Sequence, residues 1–465
     1  MSAKKLSSFV CSSCGYESVQ WYGKCPNCGE WNTMVEFREN KMERRSQGQK
    51  GREASKPIKL SEVKTLATER ISSGIGELDR VLGGGFVLGE VVLLAGEPGV
   101  GKSTLLLGLA GAMGLGLKKI SADSQVGNSK LLYVSGEESP EQIKTRAERL
   151  GLKGENILIM GETQVERIIE SAEELIKSDD GGEKKSQSHL LVIDSIQTLW
   201  SEEIEGSPGS ISQVKGCTQK LIEFAKKSGI PVVLIGQINK EGEIAGPMML
   251  SHMVDSVLFL EGERFTELRL LRGFKNRFGP TDEVGVFRMT EKGMEEVSNP
   301  SELFLKEEVA GEKGVTGSVV VCTMEGTRPV LVEVEALVTQ SSLAIPRRVA
   351  NGVDYNKVSL LTAVLQKVLG LPLYNQDVFV KVGGGFKISE PAVDLGICLA
   401  IVSSFREKPI LAKTVAFGEV GLLGEIRRVV GEEKREKEAK KLGFQRIISA
   451  KTAQTLREAI RIAGL

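Results

Sequence analysis

Between about residues 58 and 297, short unbroken apolar runs alternate with longer amphipathic stretches. The runs at 91–95, 131–134, 190–193, 232–235 and 254–260 are too short for helices. They also lack the every-other-residue polarity of a strand with one wet face, so they predict a parallel sheet covered by helices on both sides. Two polar inserts, 121–130 and 178–188, break this rhythm and read as exposed loops. After about residue 300 the pattern changes. Strands are expected at 319–322, 330–334 and 378–382, helices at 359–369 and 393–404, and a highly charged helix at 432–441, which together describe an α+β unit. Residues 1–37 end in an apolar stretch and suit a small autonomous module. Residues 38–57 carry Lys41, Arg44, Arg45, Lys50, Arg52 and Lys56 without apolar periodicity and read as a basic linker. The expected domains are therefore 1–37, 38–57, 58–300 and 301–465.

Length agrees with several cores, since 465 residues exceed what a single core of about 250–300 residues holds. Lysines and arginines number 61, as do aspartates and glutamates, so total charge points to neither nucleic acid nor membrane and any such signal must be local. No apolar run is long enough to span a bilayer and no signal peptide is evident, so a cytoplasmic protein without membrane contact is expected.

The strongest chemical signal is the run Gly96, Glu97, Pro98, Gly99, Val100, Gly101, Lys102, Ser103, which follows an apolar strand and opens a helix at Thr104. Its glycines allow backbone N–H groups to curl around phosphate oxygens, with help from the helix N-terminus. Lys102 would reach the β- and γ-phosphates and Ser103 would ligate Mg2+. Asp194 ends an apolar strand, as an aspartate orienting that Mg2+ should; a strand-end cap is the bland alternative. Glu137 and Glu138 lie just past another strand, where ligands bind in open α/β sheets, and Glu137 is the choice for positioning the attacking water, with Glu138 its rival. Gln237, placed a turn beyond its strand, would sense the γ-phosphate or is simply an exposed turn residue. The glycine-rich stretch 240–250 would follow single-stranded DNA or merely connect.

Seven cysteines occur, four of them as Cys11-x-x-Cys14 and Cys25-x-x-Cys28, each pair followed by glycine. Two facing knuckles provide four thiolates for a tetrahedral Zn2+, whereas a redox dithiol needs one pair at a strand-to-helix junction. Cys217, Cys322 and Cys398 are isolated and read as core residues. His189 and His252, the only histidines, are given no catalytic role.

Taken together, the run from Gly76 through Leu78, Asp79 and Gly83 to Gly85, the phosphate loop, and Lys275-Asn276-Arg277-Phe278-Gly279 resemble the bacterial RadA (Sms) DNA-repair family, with matching domain order over essentially the whole chain. The resemblance implies an α/β fold: a RecA-like P-loop ATPase core, preceded by a zinc ribbon and followed by an α+β Lon-protease-like domain. It implies an ATP hydrolase that binds single-stranded and branched DNA, drives branch migration in recombinational repair, works with the RecA recombinase, and assembles as a hexamer. Lys275 and Arg277 would then reach the ATP of the adjacent subunit, or couple hydrolysis to DNA; a surface ion pair is the plain reading. An ATP-switched scaffold that recruits repair proteins without moving along DNA is the rival function.

The protease resemblance also carries a departure. Where Lon-type enzymes have their nucleophilic serine, this chain reads Pro391-Ala392-Val393-Asp394, and the lysine position falls at Glu433, with Lys434 one residue away. Without a hydroxyl there is no acylation, so a non-proteolytic domain is expected. Arg427, Arg428, Lys434, Arg435, Lys437, Lys440 and Lys441 would contribute to phosphate-backbone contact if they share a face; a solvated helix is the alternative.

Overall fold

The computed structural model describes residues 8–11, 17–18, 20–31, 33–37, 70–114, 130–152, 154, 156–179, 189–237, 247–262, 267–301, 305, 314–383 and 387–465. The expected linker 38–57, residue Cys14, most of both polar inserts and most of the 240–250 stretch lie outside these residues. The chain divides into two compact units, the first comprising 1–261, 274–279 and 291–294, the second 262–273, 280–290 and 295–465.

At the start of the first unit, β1 (Ser8–Cys11) pairs antiparallel with β2 (Glu17–Ser18) and β3 (Met34–Phe37). A short antiparallel pair, β4 (Arg70–Ile71) and β5 (Phe86–Val87), flanks helix α1 (Gly76–Leu82). Six parallel strands follow: β6 (Val91–Gly96), β7 (Leu131–Ser135), β8 (Ile157–Met160), β9 (Leu190–Asp194), β10 (Val232–Gln237) and β11 (Ser256–Glu261). Their spatial order is β11-β6-β10-β9-β7-β8, which puts β6 between β10 and β11. Every residue of β6 is buried. That explains why these strands appear as unbroken apolar runs: with helices over both faces, neither set of alternating side chains meets water. One core gathers Val91, Leu93, Val134, Ile193, Leu221 and Leu234, each removed from solvent at roughly 25 cal/mol per Å2 of apolar surface.

Helix α2 (Lys102–Gly114) starts inside the glycine-rich turn after β6. Helix α3 (Pro140–Arg149) begins with a capping box: Ser139 Oγ accepts from Gln142 N–H, Gln142 Oε1 accepts from Ser139 N–H, and Pro140 fills the first turn. This cap fixes where Glu137 and Glu138 emerge from β7. Helices α4 (Val165–Asp179) and α5 (Ile211–Ser228) complete the layer description.

All five strands expected from apolar runs extend further at their ends, so that Gly96, Ser135, Asp194, Gln237 and Glu261 close β6, β7, β9, β10 and β11; Gln237 is thus the last residue of its strand and not a turn beyond it. Strand β8 was not legible because its four residues are all only half buried at the sheet edge.

In the second unit, residues 268–272 of β12 (Leu268–Asn276) pair antiparallel with β13 (Val284–Thr290). The main sheet there has six strands, with the long hairpin of Ser318–Glu325 and Arg328–Gln340 in its middle. Helix Tyr355–Leu369, capped by Asp354, and helix Asp394–Phe405, buried along most of its length, pack in this unit's core. The charged helix Glu432–Lys441 forms with Lys434, Lys437, Lys440 and Lys441 exposed, but Arg435 is not among them. Arg435 is fully buried and donates to both oxygens of Glu390, while Arg427, upstream, pairs with Glu419 and Glu425. Arg435 is therefore removed from the expected phosphate-contacting set.

Candidate nucleotide site and metal centre

The carboxyl ends of the parallel strands gather the residues singled out from the sequence. Gly96 ends β6, and a Cβ there would lie 2.5 Å from the carbonyl oxygen of Leu260, so only glycine lets the loop leave the sheet at that point. Gly99 and Gly101 take positive φ angles of 79° and 112°. Lys102 turns its ammonium back over the loop, donating to the carbonyl oxygens of Gly96 (2.8 Å) and Glu97 (2.9 Å). Burial lowers its pKa, opposed by the charges of Asp194 and Glu137, which favour the protonated form. A cation so placed is held at the mouth of the loop by the same backbone that would surround phosphate oxygens.

Asp194 stands beside Ser135 in the parallel register of β9 and β7. Its Oδ2 accepts from the hydroxyl of Tyr133 at 2.5 Å, and Ser103 hydrogen-bonds to the same phenol. Burial, followed by the charge of Asp194, raises the Tyr133 pKa, which keeps that hydroxyl a donor. Ser103 and Asp194, the two expected Mg2+ ligands, thus meet around one phenol, a neutral bridge between an aspartate and a hydroxyl.

Glu137 and Glu138 separate clearly. Glu137 is exposed, accepts from Ser195 Oγ at 2.8 Å, and receives Gln237 Nε2 at 3.3 Å. Glu138 is turned to Arg146, with which it forms an ion pair. The structure therefore brings Lys102, Asp194, Glu137 and Gln237 to one end of the sheet. It adds two residues that the sequence reading missed: Ser195, whose only signal was its place directly after Asp194, and Tyr133, concealed within an apolar run.

Lys275 and Arg277 lie at the other end. Arg277 N–H donates to the carbonyl oxygen of Asp255 (3.2 Å), and Asp255 N–H donates to that of Val91, the first residue of β6 (3.0 Å). Five residue steps at about 3.3 Å place Gly96 roughly 16 Å further along, beyond the reach of either side chain. Lys275 Nζ donates to the carbonyls of Ser251 and Val254, each at 2.7 Å. Asn276 donates to the carbonyl of Leu82 at 3.2 Å, and its Oδ1 accepts from Phe278 N–H at 2.8 Å. Arg70 donates to the carbonyls of Phe278 and Leu82. The five-residue motif is thus tied to the glycine turn that ends α1, which relates two sequence runs almost two hundred residues apart.

In the three-stranded module, the sulfurs of Cys11, Cys25 and Cys28 all lie within 4.8 Å of one another. Tetrahedral zinc with Zn–S bonds of about 2.3 Å spaces its sulfurs by about 3.8 Å; the Cys11 and Cys28 sulfurs are 3.7 Å apart. Cys25 N–H donates to the carbonyl of Glu30 and Gly29 N–H to that of Cys25, closing the knuckle, with Gly29 at φ 75°. The donor set fits Zn2+. Cys14, the fourth expected ligand, lies outside the described residues.

Comparison with known proteins agrees with both centres. Residues 56–243 match the model of an AAA domain and residues 9–36 that of a rubredoxin metal binding domain. The chain is 47% identical over 449 residues to the DNA repair protein RadA of Bacillus subtilis, covering 96% of this chain and 93% of that protein. The RadA of Streptococcus pyogenes serotype M6 is 45% identical over 452 residues, covering 97% and 94%. The chain belongs to the RadA family of DNA repair proteins. Among solved structures, the RadB recombinase aligns with 49% of this chain and 99% of its own at 28% identity, with a TM-score of 0.36 that carries no argument about fold. As a RadA family member with a RecA-like ATPase core behind a zinc ribbon, the chain uses ATP with Mg2+, and Zn2+. Among the described residues no helix is long and apolar enough to cross a membrane.

Proposed function

We propose that this RadA family protein is a DNA-dependent ATPase that binds single-stranded and branched DNA and drives branch migration of recombination intermediates, as a cytoplasmic ring of six copies acting with the RecA recombinase. The carrying observation is the distance between the two ends of the sheet. Lys275 and Arg277 stand about five residue steps from their own phosphate loop, so any triphosphate they serve belongs to another copy. A motor whose subunits complete one another's sites has a direct route from hydrolysis to relative movement.

Within one copy, the loop from Gly96 to Thr104 holds the triphosphate and Lys102 balances charge on its outer phosphates. Ser103 and Asp194 orient Mg2+, which supplies charge neutralisation on the phosphoryl oxygens. Glu137 orients the attacking water; its hydrogen bonds from Ser195 and Gln237 hold the carboxylate over that end of the sheet. Gln237 registers the γ-phosphate through the same carboxylate. In a neighbouring copy, Lys275 and Arg277 stabilise charge developing on the transferring group.

The domain reading is a zinc ribbon at 1–37 held by Cys11, Cys14, Cys25 and Cys28, a basic linker at 38–57, an ATPase domain at 58–300, and a Lon-like domain at 301–465 that does not cleave peptides. In support of the last point, the residue at 392 offers only a buried methyl group, and Lys434 lies on the exposed side of its helix. The test is unwinding of forked DNA by the purified full-length protein, compared with Lys102→Ala. Directional unwinding abolished in the variant is expected. ATP turnover without strand movement on any substrate would instead select the scaffold.

A further inference from the structure

Asp255 belongs to none of the motifs, yet it is the residue on which the far end of the sheet converges. Its side chain is 5% exposed. One oxygen accepts from the backbone N–H of Val91 (3.0 Å) and from Lys226 Nζ (2.7 Å), while the other faces Arg277 Nη1 at 3.4 Å. Its backbone is fixed on both sides, donating to Val91 and accepting from Arg277. A buried carboxylate persists only when it is paired and hydrogen-bonded, and Val91 and Lys226 already meet that need. The contact to Arg277 is the longest of the three and involves one guanidinium nitrogen, leaving the remaining N–H donors of a side chain that is 55% exposed.

We propose that Asp255 is a positioning residue that aims Arg277 at the neighbouring copy's phosphates and, through the same carboxylate, ties that cation to the first residue of the strand leading to its own phosphate loop. The proposal rests on the trans reading above and adds to it the element that holds the cation and a physical route between adjacent sites. Two further features fit. Lys226 also stands 5.7 Å over the ring of Phe278, so the carboxylate, the motif and α5 form one rigid corner. The corner holds Lys226, Lys275 and Arg277 against the carboxylates of Asp255 and the adjacent Glu90, an excess of positive charge suited to a polyanion. An anchored cation loses less freedom when it engages, and misplacement of such a group by about 1 Å costs on the order of a hundredfold in rate.

The test is subunit mixing with full-length protein. Asp255→Asn preserves shape and an acceptor for Val91 N–H while removing the charge. Alone, it should bind ATP with affinity within about twofold of the parent and turn it over about ten- to a hundredfold more slowly. Mixed with Lys102→Ala, which lacks a working loop but retains the corner, it should regain turnover, because its intact loop then faces an intact Arg277. Arg277→Ala mixed with Lys102→Ala is the control for the trans arrangement. If that control regains turnover and the Asp255→Asn mixture does not, or if Asp255→Asn alone is as fast as the parent, the positioning role is overturned. If the control itself stays silent, the trans reading falls and takes this proposal with it. Should Asp255→Asn prove unstable, Asp255→Glu takes its place in the mixture: it keeps the charge at the wrong length, and recovery on mixing is again the expected result, silence beside an active control the overturning one.

Discussion

Two clusters of opposite charges close to strand ends, one in each unit, are finished in opposite ways. In the first unit, Glu137 is exposed and, among the described residues, receives Ser195 and Gln237, while Lys102 rests on carbonyl oxygens of its own loop. In the second, Arg435 is fully buried, donates to both oxygens of Glu390, and also reaches the carbonyl of Cys322; Glu390 in turn accepts from Met324 N–H. Beside them, Lys357 pairs with Asp394 at 2.6 Å. The same residue types thus make a binding site where their capacity is directed to solvent, and a structural fastening where it is consumed internally. The difference is one of satisfaction, not of composition.

Three substitutions sharpen the contrast. The largest effect should come from Arg435→Ala, which strands Glu390 in a site built for a cation; breaking such a buried pair costs about 3–5 kcal/mol. Denaturant titration should show the second unit unfolding earlier with ATP affinity unchanged, and a loss below about 1 kcal/mol would mean that the cluster is not a fastening at all. Next, Glu137→Gln should lower ATP turnover about a hundredfold, or about 2.7 kcal/mol of barrier, while leaving stability and ATP affinity unaltered. Retained turnover would remove Glu137 from the reaction, and Glu138, already paired with Arg146, is poorly placed to replace it.

The smallest effect concerns Glu90, buried near Asp255 at the opposite end of the sheet from the first cluster. Desolvation raises its pKa above 4.5, with hydrogen bonds from Ser256 and Val87 pulling the other way. Between the ordinary and the raised value the folded chain binds more protons than the unfolded one, so stability declines as pH rises through that window. Glu90→Gln keeps an acceptor for Val87 and can donate to Ser256 Oγ, and it should flatten this decline. An unchanged slope in thermal melts across mildly acidic to neutral pH would show that Glu90 does not set it.

Much of the first unit could be read from residue order because its signals are local. A buried parallel strand must be apolar throughout, and a phosphate loop needs its glycines, lysine and serine within one short turn; the zinc knuckles are likewise set by spacing. The RadA resemblance lay in such runs as well. What residue order left open was which groups meet. Glu137 and Glu138 are neighbours with equal chemistry, and only the cap at Ser139 and the position of Arg146 turned one outward and the other aside. Arg435 read as one more base on a charged helix until its depth removed it from solvent.

The sequence by itself therefore determined five of the six parallel strands, the loop, the metal knuckles and the family, because each depends on residues close together in the chain. Tertiary structure alone decided that Lys275 and Arg277 stand far from their own loop, that one carboxylate, Asp255, contacts both Arg277 and Val91, and that Arg435 is a core residue. Distance, burial and partner choice arise from contacts between segments up to about two hundred residues apart, and no local pattern encodes them.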